Sequence, residues 1–221
     1  MLSAWMAARD EAGNGLSDSE LRDELVAHLR AGYRNSATVL CWVFVLLHRH
    51  PEADAKLAAE LSEVLNGRVP HAGVLPRLTF TEQVIKETMR LCPLYPMLGR
   101  VVRCDTVLAG YRLTAGTKLG ISVWALHRDP RYFDDPERFD PLRWNETLER
   151  KLPKHAFFPF GGGPRQCPFK SYGMLESVLL LATIAQRFRV QLAQGEQADR
   201  HASINGLLPK DGLQVTIARR G

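Results

Sequence analysis

Apolar positions recur with a helical period over most of the chain and switch to a short, strand-like alternation in one stretch. The first signal is Ser17-Asp18-Ser19-Glu20, a serine that can accept from the first unpaired helix amides, with a glutamate three residues on that can answer the serine's own N–H. Leu21, Leu25, Leu29, Gly32, Ser36 and Leu40 follow at near-helical spacing and nothing interrupts them before Pro51, so one helix of about 33 residues is predicted. Its second half holds the longest apolar run, the nine residues from Val39 to Leu47. That is well short of the ~18 needed to cross a bilayer and predicts a buried helix.

"RHPEA" opens a second helix that runs to Asn66-Gly67, with the glycine as its left-handed stop. "LTFTEQVIKETMRLC" predicts a third, with Leu78, Val84, Ile85, Met89 and Leu91 on one pattern that Pro93 ends. In "TVLAGYRLTAGTKLGISVWAL" the pattern becomes short alternating runs around the pairs Ala109-Gly110 and Ala115-Gly116, which predicts a small antiparallel sheet. Asp129 to Pro159 is irregular and rich in proline and aspartate. A glycine loop follows, and then a last helix from Pro168 to Phe188 with the proline at its first position. The closing "LLPKDGLQVTIARR" reads as a turn and one strand.

Composition narrows the classes. With 221 residues, 45% hydrophobic and 24% charged, the chain has the make-up of an ordinary globular protein with a packed core. The net charge of +5 is spread along the chain rather than gathered in one block, so nucleic acid is not an expected partner, and an acidic protein is a better match. Cys41, Cys92, Cys104 and Cys167 form no C-x-x-C pair and have no histidine at zinc-finger spacing. A reducing, cytoplasmic setting is expected rather than a disulfide framework. The first fifteen residues contain acidic residues and glycines but no apolar core of signal-peptide length, which argues against a secretory leader.

The chemistry concentrates in "FGGGPRQCPFK", Phe160 to Lys170. Consecutive glycines let a backbone turn sharply and approach a ligand closely. A cysteine just ahead of a helix start is placed to be a thiolate, and a thiolate is a nucleophile or a metal ligand. A plain buried cysteine in a tight loop fits the same letters. Glu87 and Arg90 in "KETMRL" share a helical face, and such an E-x-x-R match alone arises by chance about once in a chain of this size.

Their order carries more weight than any one of them. "KETMRL", "HRDP", "DPERFDPLRW", "FGGGPRQC" and "YGMLE" succeed one another at consistent distances, and the set resembles the carboxy-terminal half of a cytochrome P450, a haem-thiolate monooxygenase. The resemblance spans nearly the whole chain as a single partial domain over residues 1–221. It implies a mainly α fold with a small antiparallel β-sheet. It implies haem b, iron protoporphyrin IX, with Cys167 as the metal ligand and Phe160, Gly163 and Arg165 in the cofactor-binding loop. It also implies that Glu87, Arg90 and Arg138 form a buried charge network supporting that loop. An apolar organic substrate and a ferredoxin, flavodoxin or reductase partner follow, with Arg143, Arg165 and Lys170 as a candidate basic face or simply a solvated one. Trp124 and His127 read as a strand-end aromatic and a satisfied histidine ahead of a role at the haem edge.

Departures from the family pattern qualify the activity. Where the family has an acid and an alcohol on the distal helix, this chain has Arg34-Asn35-Ser36 after Ala31-Gly32-Tyr33, and a guanidinium cannot relay protons near neutral pH. These three are the candidate catalytic residues. Arg34 opens an alternative, a peroxide-using fatty-acid hydroxylase in which it anchors the substrate carboxylate. Phe169 stands where the family has glycine, and overpacking of that kind costs about 1–3 kcal/mol. The first half of the family fold is missing from the sequence, so a catalytically silent remnant or a partner-docking subunit is the remaining alternative.

Overall fold

A computed structural model describes residues 2–203, 206–210 and 212–220. The chain falls into two compact units, Met1–Ala37 and Thr38–Gly221.

The first unit holds α1 (Leu2–Ala7) and the opening turns of α2 (Asp18–Arg49). The capping box forms as expected: the Glu20 carboxylate accepts the Ser17 amide at 2.8 Å, and Ser17 Oγ accepts the Glu20 amide at 3.3 Å. Trp5 stacks on His28 with ring centroids 4.6 Å apart. Ser36 is the only buried side chain among the described residues of this unit.

In the second unit the apolar run of α2 is buried as predicted, with Trp42, Val43, Val45 and Leu47 almost fully enclosed. The indole of Trp42 donates to the Leu207 carbonyl at 2.9 Å, which meets the polar requirement of an otherwise apolar position. α3 (Pro51–Leu65) buries Leu57 and Leu61 in the same core. Its end differs slightly from expectation: Asn66 itself takes the left-handed conformation (φ 46°), ahead of Gly67 (φ 76°).

α4 (Thr79–Leu91) carries the E-x-x-R pair. Its amino end has no cap of its own, and Glu60 of α3 supplies one by accepting the Phe80 amide (2.6 Å) and the Thr81 amide (2.9 Å). A carboxylate at that position also offsets the helix dipole. α4 packs against α3 and α7 (Lys170–Ala185), whose Val178, Leu181, Ala182 and Ala185 complete the core.

The strands form four two-stranded antiparallel pairs rather than one sheet. β2 (Thr106–Leu108) and β3 (Tyr111–Leu113) make the expected hairpin at Ala109-Gly110, both of which have positive φ. β1 (Met97–Val101) was not anticipated, and it pairs with β4 (Lys118–Ser122) across the hairpin. Val123–Leu126, read as the end of a strand, is the short helix α5. The irregular stretch contains a 3-10 turn at Pro141–Arg143 and the short helix α6 (Glu146–Lys151). β5 (Phe188–Leu192) pairs with β8 (Val215–Arg219), and β6 (Arg200–Ser203) pairs with β7 (Gly206–Pro209). The sequence reading found only one of these four strands, and part of the turn it placed there lies outside the described residues. Phe188 accordingly begins a strand instead of ending a helix.

Candidate functional site

Glu87 and Arg90 lie three residues apart on α4, with both side chains at 0% exposure. Arg90 grips the carboxylate with two N–H groups, Nε to Oε2 and Nη2 to Oε1, each at 2.8 Å. Its remaining donors reach the carbonyls of His127 (2.9 Å), Pro136 (2.6 Å) and Arg138 (3.1 Å). All five guanidinium donors are therefore used, as burial demands.

Glu87 is equally committed. Besides Arg90 it accepts from Arg143 Nε at 2.9 Å, the Asp140 amide at 3.0 Å and the Trp144 indole at 3.0 Å. The second guanidinium of the cluster is thus Arg143, not Arg138. Arg138 is exposed and contributes its backbone carbonyl, which both Arg90 and Arg143 use. Arg143, only 10% exposed, also leaves the proposed basic face. "DPLRW" held the signal, because the Arg143-Trp144 pair supplies two donors to one carboxylate.

The segment wound around this cluster is the proline-rich one. Gln83 of α4 donates to the Trp144 carbonyl at 2.6 Å, and Lys86 bridges to Glu149 of α6 at 2.7 Å. Arg90 sits over the Phe133 ring at 5.1 Å. Trp144 packs on Phe157, with centroids 4.4 Å apart, and Phe157 packs on His127.

His127 is fully enclosed, and its Nε2 accepts the Phe158 amide at 3.1 Å. Burial first, and then the neighbouring Arg90 cation, lower its pKa to about 4, so the ring is neutral at physiological pH.

Beyond Phe158 the chain enters the glycine loop. The Gly161 amide donates to the Phe158 carbonyl (2.9 Å), and the Cys167 amide donates back to the Phe160 carbonyl (2.9 Å), closing the loop on itself. Gly161 (φ 75°) and Gly163 (φ 72°) take the left-handed conformation that favours glycine, and a Cβ on Gly162 would come within 2.9 Å of the His155 ring. Phe160 packs against the core, its ring 3.4 Å from where a Cβ on Gly173 would stand.

Cys167 is half-buried at the end of this loop. α7 starts at Lys170, so Pro168 and Phe169 form a turn between the thiol and the helix, and Pro168 is not its first residue. Phe169 has φ −99°, a backbone conformation open to any residue, and its ring is half-buried. Arg165 and Lys170 are exposed beside the loop. Arg34 and Asn35 are half-buried on α2, and Ser36 is buried at 8% exposure, all within the first unit.

Among the described residues, no three His, Cys, Asp or Glu side chains gather into a metal site. Cys167 offers one soft ligand, and a metal held there needs its other positions filled from outside the protein. A porphyrin does this, so the donor set fits haem and does not fit a protein-only metal centre.

Comparison with known proteins agrees with that chemistry. The family model for cytochrome P450 matches residues 1–217. The chain is 41% identical over 196 residues to cyclooctatin synthase of Streptomyces melanosporofaciens, covering 88% of this chain and 43% of the relative. It is 38% identical over 190 residues to pentalenene oxygenase of Streptomyces avermitilis, covering 86% of this chain and 42% of the relative. Among solved structures, a crystal structure of a cytochrome P450, CYP102L1, superposes with a TM-score of 0.87 at 26% identity, covering 100% of this chain and 50% of that one. The chain thus spans less than half the length of these curated relatives.

Proposed function

Because the chain belongs to the cytochrome P450 family, we propose that it is the haem-thiolate portion of an oxidoreductase that inserts one oxygen atom of dioxygen into an apolar organic substrate. One observation carries the reading: the Cys167 loop closes on the Phe160 carbonyl and is anchored, through Phe158 and His127, to a buried Glu87–Arg90–Arg143 cluster. Such a support holds a thiolate still while its ligand changes state.

Haem b bound through Cys167 would supply the redox chemistry, the thiolate pushing electron density that favours O–O cleavage. In the overall reaction the second oxygen atom leaves as water, with two electrons from a redox partner and two protons from solvent. This chain's residues hold and orient. Gly163 keeps the loop flat enough for close approach, Phe160 walls it, and Arg165 offers an exposed guanidinium for a carboxylate such as a propionate. Arg165 and Lys170 suit an acidic ferredoxin or flavodoxin. Arg34, Asn35 and Ser36 are the proposed distal residues, with Ser36 or Asn35 ordering water where the family has an acid.

Titration of the full chain with hemin, followed by reduction under carbon monoxide, tests the reading. The expected result is the red-shifted Soret band of a thiolate-bound haem, lost in Cys167→Ser. Folded protein that takes up no hemin overturns it. Arg34, a cation in place of the acid, favours a second reading as a peroxide-dependent fatty-acid hydroxylase. Turnover of a fatty acid with hydrogen peroxide alone, abolished in Arg34→Ala, would establish that reading in place of the first.

A further inference from the structure

We propose that His127 is a positioning residue for the Cys167 loop, its ring joining the buried ion cluster of α4 to Phe158, just ahead of the loop. The inference rests on the haem-thiolate reading above and assigns the loop's rigidity to one side chain.

Two bonds of a single residue make the junction. The His127 carbonyl accepts from Arg90 Nη1 at 2.9 Å, and the His127 ring accepts the Phe158 amide through Nε2 at 3.1 Å. Phe158 in turn accepts the Gly161 amide, and Phe160 accepts that of Cys167, so the connection runs unbroken from Glu87 to the thiol-bearing residue. Phe157 and Phe158 flank the imidazole, with centroids 5.1 and 5.7 Å away.

An Nε2 that accepts must carry its ring proton on Nδ1. That nitrogen is buried and closes no well-formed hydrogen bond among the described residues, and the backbone of Met89 and Arg90, in the last turn of α4, lies near the ring. The charged groups around the ring, Arg90 of α4 and the neighbouring Arg128, both oppose a second proton. A protonated ring would present N–H to the Phe158 N–H and break the junction.

Glutamine can place Oε1 where Nε2 stands and accept the same amide, whereas leucine fills similar space and accepts nothing. The experiment compares wild-type full chain with His127→Gln and His127→Leu by two measurements. One is the rate of iodoacetamide labelling at Cys167 without hemin, read by peptide mass spectrometry; the other is hemin affinity. His127→Leu is expected to raise labelling and weaken hemin binding by about tenfold or more, the range typical of lost partners behind a ligand. His127→Gln is expected to stay within about threefold of wild type. Two variants that behave alike, both normal or both impaired, overturn the proposal, since ring packing alone predicts no rescue. Nitrogen-15 spectra of the wild-type imidazole give a check that needs no variant: the Nδ1–H tautomer is required, and Nε2–H refutes it. If no form binds hemin, the haem-thiolate reading fails while the labelling series still decides whether His127 holds the loop.

Discussion

Glu87, fully buried, answers two guanidiniums, an indole and a backbone amide. Removing its charge leaves Arg90 buried and uncompensated, and breaking a buried pair from one side costs about 3–5 kcal/mol. Glu87→Gln should therefore lower the urea midpoint sharply. Arg138→Ala should change the unfolding free energy by less than about 0.5 kcal/mol, because only the Arg138 carbonyl takes part. The sequence points to Glu87, Arg90 and Arg138, and the second guanidinium on Glu87 is that of Arg143. Spacing marks two residues on one helical face, whereas Arg138 and Arg143 differ only in how the proline-rich segment winds around them. His127 gives the residue scale a pH signature. Its pKa is near 4 in the fold against an ordinary 6.5, so between those values the unfolded chain takes up a proton that the native ring refuses. Stability is then fully present above about pH 6.5 and falls as the pH drops toward 4, by about 3 kcal/mol in all, with no further loss below. Urea midpoints at about pH 7 and about pH 5 should show the decline in wild type and a flatter profile in His127→Gln.

At the scale of elements, signals local in sequence were legible and pairings between distant segments were not. The Ser17–Glu20 box, the burial of Val39 to Leu47, and the Ala109-Gly110 turn all formed where their letters stood. The β1–β4 pair was missed because Met97 to Val101 meets Lys118 to Ser122 across an intervening hairpin, and no residue in either strand announces the partner. The start of α7 was placed too early because Pro168 suits a first helical position, yet the chain spends Pro168 and Phe169 on a turn that separates the thiol from the helix. Ala109 gives the hairpin a testable flaw. It has φ 49° in a two-residue loop where both positions need positive φ, and a Cβ there costs about 1 kcal/mol that glycine avoids. Ala109→Gly should stabilise the fold by about that amount in urea unfolding, unless the added freedom of the unfolded chain offsets it; a net loss would show that the turn is not strained.

For the whole molecule, the decisive contrast lies in how the two units are built. Thr38–Gly221 encloses a continuous apolar core from α2, α3, α4 and α7 and hangs its thiol loop on a satisfied polar cluster. Met1–Ala37 buries one side chain among its described residues, and Val26, Leu29 and Tyr33 of α2 are each more than half exposed. A helix segment with no burial to hold it depends on its own hydrogen bonds, which are marginal in water at this length. The sequence pattern could not reveal this, because Leu21, Leu25 and Leu29 have the same spacing as a buried stripe and periodicity does not say whether anything covers it. Opening in the first unit should therefore be frequent, and opening in the second should approach the global unfolding free energy. Limited trypsin digestion of the full chain is expected to cut at Arg22 and Arg30 well before Lys56, Lys86 or Arg90 within α3 and α4. Hydrogen exchange should place the boundary near Ala37, with protection in α2 rising steeply through Val39 to Leu47. Uniform protection along the whole of α2 would mean that the helix is held at both ends and would contradict this division.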